Sequence, residues 1–233
     1  MYRTMLVAAF ALLLQSLAPG SNAVPAQTAY PSMAALEQYL MPDKKAEIEL
    51  ARTAAPASIS GNAEVMVLGR DGYTTAANGT NGFVCIVERS WGAASTEPEF
   101  WNPKIRSPIC FNPPAARTVL PIYLMKTRSI VAGKSRAQVL SATDAAFAGG
   151  QLHAPAPGAM CYMMSHQQYL NDRGKSWHPH LMFFVSGDAA KTWGADLPGV
   201  PVMAANDPEE RVTIMMVLVG HWSDGTAMAV DGH

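Results

Sequence analysis

Apolar residues in this chain gather in short runs separated by turn-forming clusters, with two helical stretches between them. "AEVMVL" at 63–68 is a short β-branched run, closed by the turn signal Arg70-Asp71-Gly72. "YTTAA" leads from there into "NGTNG", where Asn-Gly pairs favour the left-handed conformations of tight hairpins. "FVCIVE" at 83–88 follows, and turns this short predict an antiparallel meander. In the last third, "AMCYMM" (159–164), "HLMFFV" (180–185) and "VTIMMVLV" (212–219) are apolar runs of strand length.

Helical signals lie elsewhere. Pro42 and Asp43 open "PDKKAEIELARTAA", in which Ile48, Ala51, Ala54 and Ala55 fall at helical spacing ahead of Pro56. "AARTVLPIYLMKTRSIVAG" reads as a helix interrupted near Pro121, and "KSRAQVLSATDAAFAGG" as a second one ending at Gly149-Gly150. Strands first, helices in the middle and strands again predict an α+β fold. The expected architecture is a mostly antiparallel sheet with two or three helices packed on it, in a single domain over 24–233.

The run "HLMFFV" is expected to be a strand covered on both faces, with Leu181, Phe183 and Val185 on one and Met182 and Phe184 on the other. His178 and His180 would mark its solvent-facing start, because Pro179 cannot donate to a sheet ladder. Regular patterning is lost over 89–114, "RSWGAASTEPEFWNPKIRSPICFNPP", which reads as a long irregular loop. Such a stretch inside a compact domain is usually functional or pinned down.

The N-terminus changes the picture of where the protein works. "MYRTMLVAAFALLLQSLAPGSNA" has a basic start at Arg3, an apolar core from Met5 to Leu14, and small residues at Ser21 and Ala23. That is signal-peptide anatomy over 1–23, with the mature chain starting at Val24. The apolar core falls well short of the roughly 20 residues that a bilayer-spanning helix needs. The mature chain is therefore expected to carry no membrane span and to be periplasmic or secreted. In such a compartment Cys85 and Cys110 are expected to form a disulfide, worth roughly 3 kcal/mol on loop-entropy grounds. It would pin the irregular loop, and Cys161 would remain a buried thiol. A three-thiolate metal site lacks any C-x-x-C spacing.

Four segments, "ARTAAPASISGNAEVMVLGRDGY", "GTNGFVCIVERSW", "EFWNPKIRSPICFNPPAARTVLP" and "HPHLMFFV", resemble an uncharacterised family of small exported bacterial proteins. The resemblance implies a bacterial exported location and a single domain. It transfers no site residue.

Composition narrows the function. A formal net charge of −1, with no dense Lys/Arg cluster, offers no electrostatic footprint for nucleic acid. No G-x-S-x-G, S-x-x-K, H-E-x-x-H or P-loop motif occurs. The carboxylate pairs Glu97/Glu99 and Glu209/Glu210 read as solvated loop charges. Methionines such as Met163, Met164, Met215 and Met216 lie in continuous apolar runs and read as core filler. His178 and His180 would share a face of a strand, and His166 could approach them if the neighbouring strands pair, with Glu88 supplying an oxygen. That set would suit zinc or copper. Two histidines at a strand's start need no metal, however. Trp91 and Trp101, in the irregular loop, are candidate ligand contacts because an indole offers a flat face and a polar edge. The leading expectation is an exported, non-catalytic domain that binds a small molecule or partner protein, with no cofactor. The alternative is a metal-dependent enzyme or metal carrier built on the His-x-His pair.

Overall fold

The computed structural model describes residues 30–228, and the signal peptide expected over 1–23 lies outside them. Helix α1 (Lys44–Arg52) starts where Asp43 accepts a hydrogen bond from the Lys45 amide, as its sequence predicts. A single turn, α2 (Ala57–Ser60), follows Pro56. Strands β1 (Glu64–Gly69) and β2 (Gly72–Ala77) then form a hairpin. Gly72 at its turn has φ +110°, a conformation that glycine alone adopts cheaply. Next come β3 (Val84–Glu88) and β4 (Ser107–Phe111), then three helices: α3 (Pro113–Thr118), α4 (Leu120–Val131) and α5 (Arg136–Ala148). The chain closes with β5 (Met160–Met163), β6 (His180–Ser186), β7 (Val202–Asp207) and β8 (Val212–Leu218).

All eight strands share one sheet in the order β2-β1-β3-β4-β5-β6-β8-β7, antiparallel except for β1 beside β3. The fold is α+β, with helices packed on the sheet. The expected meander is corrected at its second step. β3 pairs parallel with β1, not antiparallel with β2. Val65 and Val67 of β1 are buried and are flanked by strands on both sides, whereas Thr74 and Thr75 of β2 are exposed and suit an edge.

Period two assigns the two faces. Cys85 and Val87 pack with Ala51, Ala54 and Ala55 of the α1 region. Ile86, Ile109 and Phe111 pack with Val119, Leu120 and Tyr123 on the α3–α4 side, joined by Cys161, Met182 and Phe184. Cys85 and Cys110 stand directly opposite in register and form the expected disulfide, and Cys161 is the buried free thiol.

The irregular loop expected over 89–114 is a second correction. It contains β4, whose five residues are all buried, and a 3-10 turn at Ser90–Gly92. The prolines on and around "SPICF" mask a short central strand. β7 is a strand that the pattern does not predict, because its residues are only partly covered at the sheet edge. A third correction concerns β6. His180, Met182 and Phe184 are buried, while Leu181, Phe183 and Val185 are half-covered, so only one face meets the core.

Candidate functional site

The end of β3 places two consecutive ionisable residues on opposite faces of the sheet. Arg89 points to the α1 side and is 1% exposed. Its Nη2 donates to Glu47 Oε1 at 2.8 Å, its Nε to the Tyr39 carbonyl at 2.7 Å, and its Nη1 to the Val87 carbonyl. Glu47 also accepts from the Leu68 amide at 3.2 Å. Each of the three guanidinium nitrogens thus meets an oxygen, which is what a buried charge requires.

Glu88 points to the α4 side, and its situation is different. Its Oε1 has no solvent contact and no hydrogen-bonding partner among the described residues. Burial, with Glu210 adding to it and Lys126 opposing it, pushes the carboxyl up to about 8 from its ordinary 4.5. At neutral pH it holds its proton. Gly92 lies against this side chain so closely that a Cβ there would stand 2.0 Å from the Glu88 carboxyl carbon. Only glycine leaves the carboxyl its place.

Behind Glu88, Lys126 of α4 donates to Glu210 Oε1 at 2.6 Å, and both side chains are almost wholly buried. Burial raises the Glu210 carboxyl against the pull of Lys126. For Lys126 burial acts in the opposite sense, yet Glu210, Asp207 and Glu88 carry the ammonium above its ordinary value. Glu210 and its neighbour Glu209, which accepts from the Ser95 hydroxyl at 2.6 Å, are not the solvated charges expected of the β7–β8 turn. They tie that turn to α4 and to the 89–97 segment.

A cleft of about 470 Å³ opens over Glu88. Its walls come from both halves of the sheet: Ser90, Gly92 to Ala94, Glu97, Ile105 and Ser107 on one side, Ala205 to Asp207 and Ile214 on the other, with Leu170 and Asn171 beside them. Glu97, Glu99 and Asp207 add carboxylates to that of Glu88. Arg89 is the single cation among the lining residues, and its guanidinium is committed to Glu47. The cleft is therefore acidic, with a protonated acid at its floor.

The sequence-predicted residues fall elsewhere. Trp91 and Trp101, expected as ligand contacts, are 2% and 6% exposed and belong to an aromatic core with Tyr39 and Phe100. Trp91 donates its indole N–H to Thr127 Oγ1 at 2.9 Å. The segment needs an apolar anchor to lie down on α4, and the tryptophans supply it. The three histidines are also distributed differently from the expected zinc set. His166 stacks on Trp222 with ring centroids 4.0 Å apart. His178 Nδ1 lies 3.2 Å from Met228 Sδ. His180 is 3% exposed, not near solvent; its Nδ1 meets the His178 carbonyl at 2.8 Å and Trp177 meets its ring edge-on. Among the described residues, no group of three or more His, Cys, Asp and Glu is placed to hold a metal ion.

Glu88 was legible as a polar end to an apolar strand, though as a metal ligand and not as a protonated acid. Lys126 had a weaker signal, a lone lysine in the apolar "PIYLMKTRSIV". Gly92 and Asp207 had none. No known protein family, curated protein or solved structure matches the chain.

Proposed function

We propose that this protein is an exported binding domain for a small amine-bearing molecule, held in the acidic cleft over Glu88. The observation that carries the reading is the Glu88 carboxyl, in the lining of a cleft with further carboxylates and with one buried oxygen that no described residue pairs. A buried polar atom without a partner costs stability, and a ligand that draws the Glu88 carboxyl into the cleft and pairs with it recovers that cost. The cleft volume is in the range of small-molecule sites, and its charge favours a cation. Export is supported by the signal-like N-terminus and by the Cys85–Cys110 disulfide. Among the described residues no helix is long and apolar enough to cross a membrane.

An ammonium group arriving beside Glu88 favours the carboxylate, so Glu88 releases its proton as the ligand binds. Affinity should then rise with pH until about 8 and level off. Isothermal titration of the mature protein with a panel of diamines, amino sugars and amino-acid amides, in buffers of differing ionisation enthalpy, tests this. A binding amine should release close to one proton near pH 7, and Glu88→Gln should weaken it at least about tenfold, equivalent to about 1.4 kcal/mol. Equal binding by the Gln variant, or no binding across the panel, would remove the proposal.

A further inference from the structure

A second pocket, of about 370 Å³, lies at the opposite end of β6 and shares no lining residue with the Glu88 cleft. His166, Trp177, His178, Trp222 and Met228 line it. It is assembled by the C-terminal hairpin. His221 pairs with Ala227, the Trp222 amide donates to the Thr226 carbonyl, and the Met228 amide donates to the Gly220 carbonyl at 2.9 Å. Two backbone bonds dock this hairpin: the Val219 amide to the Pro179 carbonyl, and the Ser223 amide to the Met164 carbonyl, each at 2.9 Å. Docking delivers Trp222 to His166 and Met228 to His178.

We propose that this pocket binds one copper(I) ion through His178 Nδ1 and Met228 Sδ, with His166 as the third donor. Two donors sharing a small metal ion, with bonds near 2.0 Å to nitrogen and 2.3 Å to sulfur, stand roughly 3.2–3.7 Å apart. The His178–Met228 separation of 3.2 Å fits that geometry. His166 Nε2 is bonded to the Thr226 hydroxyl at 2.7 Å, the outer contact that orients a ligating imidazole and leaves Nδ1 for the metal. A thioether is a soft ligand, which selects copper(I) over zinc, magnesium or calcium. The Trp222 ring lines the site and stacks on His166. His180 takes no part. Its Nδ1 is held by the His178 carbonyl, and that contact fixes the backbone from which His178 projects.

The test is anaerobic titration of the mature chain with copper(I) against a chromophoric chelator, followed by Trp fluorescence and X-ray absorption. One copper(I) per chain should bind, quench fluorescence, and show a sulfur scatterer at about 2.3 Å. Met228→Leu and His178→Gln should each weaken binding at least about tenfold, and Met228→Leu should abolish the sulfur scattering. Met203→Leu, a half-covered methionine of edge strand β7, should leave binding unchanged. Three results would each overturn the assignment: no copper(I) on the wild-type chain, undiminished binding by both site variants, or preference for zinc at these residues. Circular dichroism of each variant separates loss of the site from loss of the fold.

Discussion

Glu88 and Arg89 are neighbours in the chain and opposites in the fold. Arg89 meets Glu47 and two backbone carbonyls, so its charge is matched within the protein. Glu88 has one oxygen that no described residue matches, and lies beside a Lys126–Glu210 pair already satisfied. The strand end removes Arg89 from water completely and Glu88 in part. A closed arrangement of this kind holds the Tyr39 segment, α1 and β3 together. An open one leaves an unmet hydrogen bond on a side chain that lines a cleft. Burial alone therefore does not distinguish structural charge from functional charge; the inventory of partners does.

The largest test breaks the closed side. Arg89→Ala leaves Glu47 buried without its cation and should cost about 3–5 kcal/mol in urea unfolding. The double replacement Arg89→Met with Glu47→Leu should recover most of that, because both charges are then gone. A double variant no more stable than the single one would mean that Arg89 acts through its carbonyl contacts instead.

A smaller effect is expected from the staple that holds both residues in place. Cys85→Ala with Cys110→Ala should cost roughly 3 kcal/mol on the loop-entropy account, with 25 residues separating the pair. Both centres should loosen together, measured as faster amide exchange at Glu88 and Arg89. Exchange that changes at neither residue would show that the strand end is held by α1 and α4 alone.

The finest test sharpens the open side. Between pH 4.5 and about 8 the unfolded chain has lost the Glu88 proton and the folded chain has kept it. Folding then takes up a proton, so stability falls as pH rises through that window and levels off above it. The contribution of this one group is at most about 1.4 kcal/mol per pH unit. Glu88→Gln, which cannot titrate, should flatten that part of the profile while changing stability at pH 5 by under about 1 kcal/mol. An unchanged slope would place the ionisation of Glu88 in its ordinary range.

Much of the architecture was written in local pattern. Apolar runs of strand length located β1, β3, β5, β6 and β8, and the Asp43 cap and the Pro121 break located the helices. Such features depend on residues within a turn or two of each other. β4 and β7 escaped because prolines interrupt the first and partial burial dilutes the second. Trp91 and Trp101 were conspicuous, yet a loop tryptophan reads alike whether it faces solvent or a core built from residues distant in the chain.

Sequence by itself determined the class of fold, the Cys85–Cys110 pairing and the polar end of β3, because hydrophobic period and cysteine chemistry are short-range properties. Tertiary structure alone decided which charges are matched. Glu47 reaches Arg89 across 42 residues, and Lys126 reaches Glu210 across 84. The C-terminal hairpin brings Met228 to His178 across 50. A carboxylate's protonation and a metal's donor set depend on what stands within a few ångströms, and those distances exist only once the sheet has closed around them.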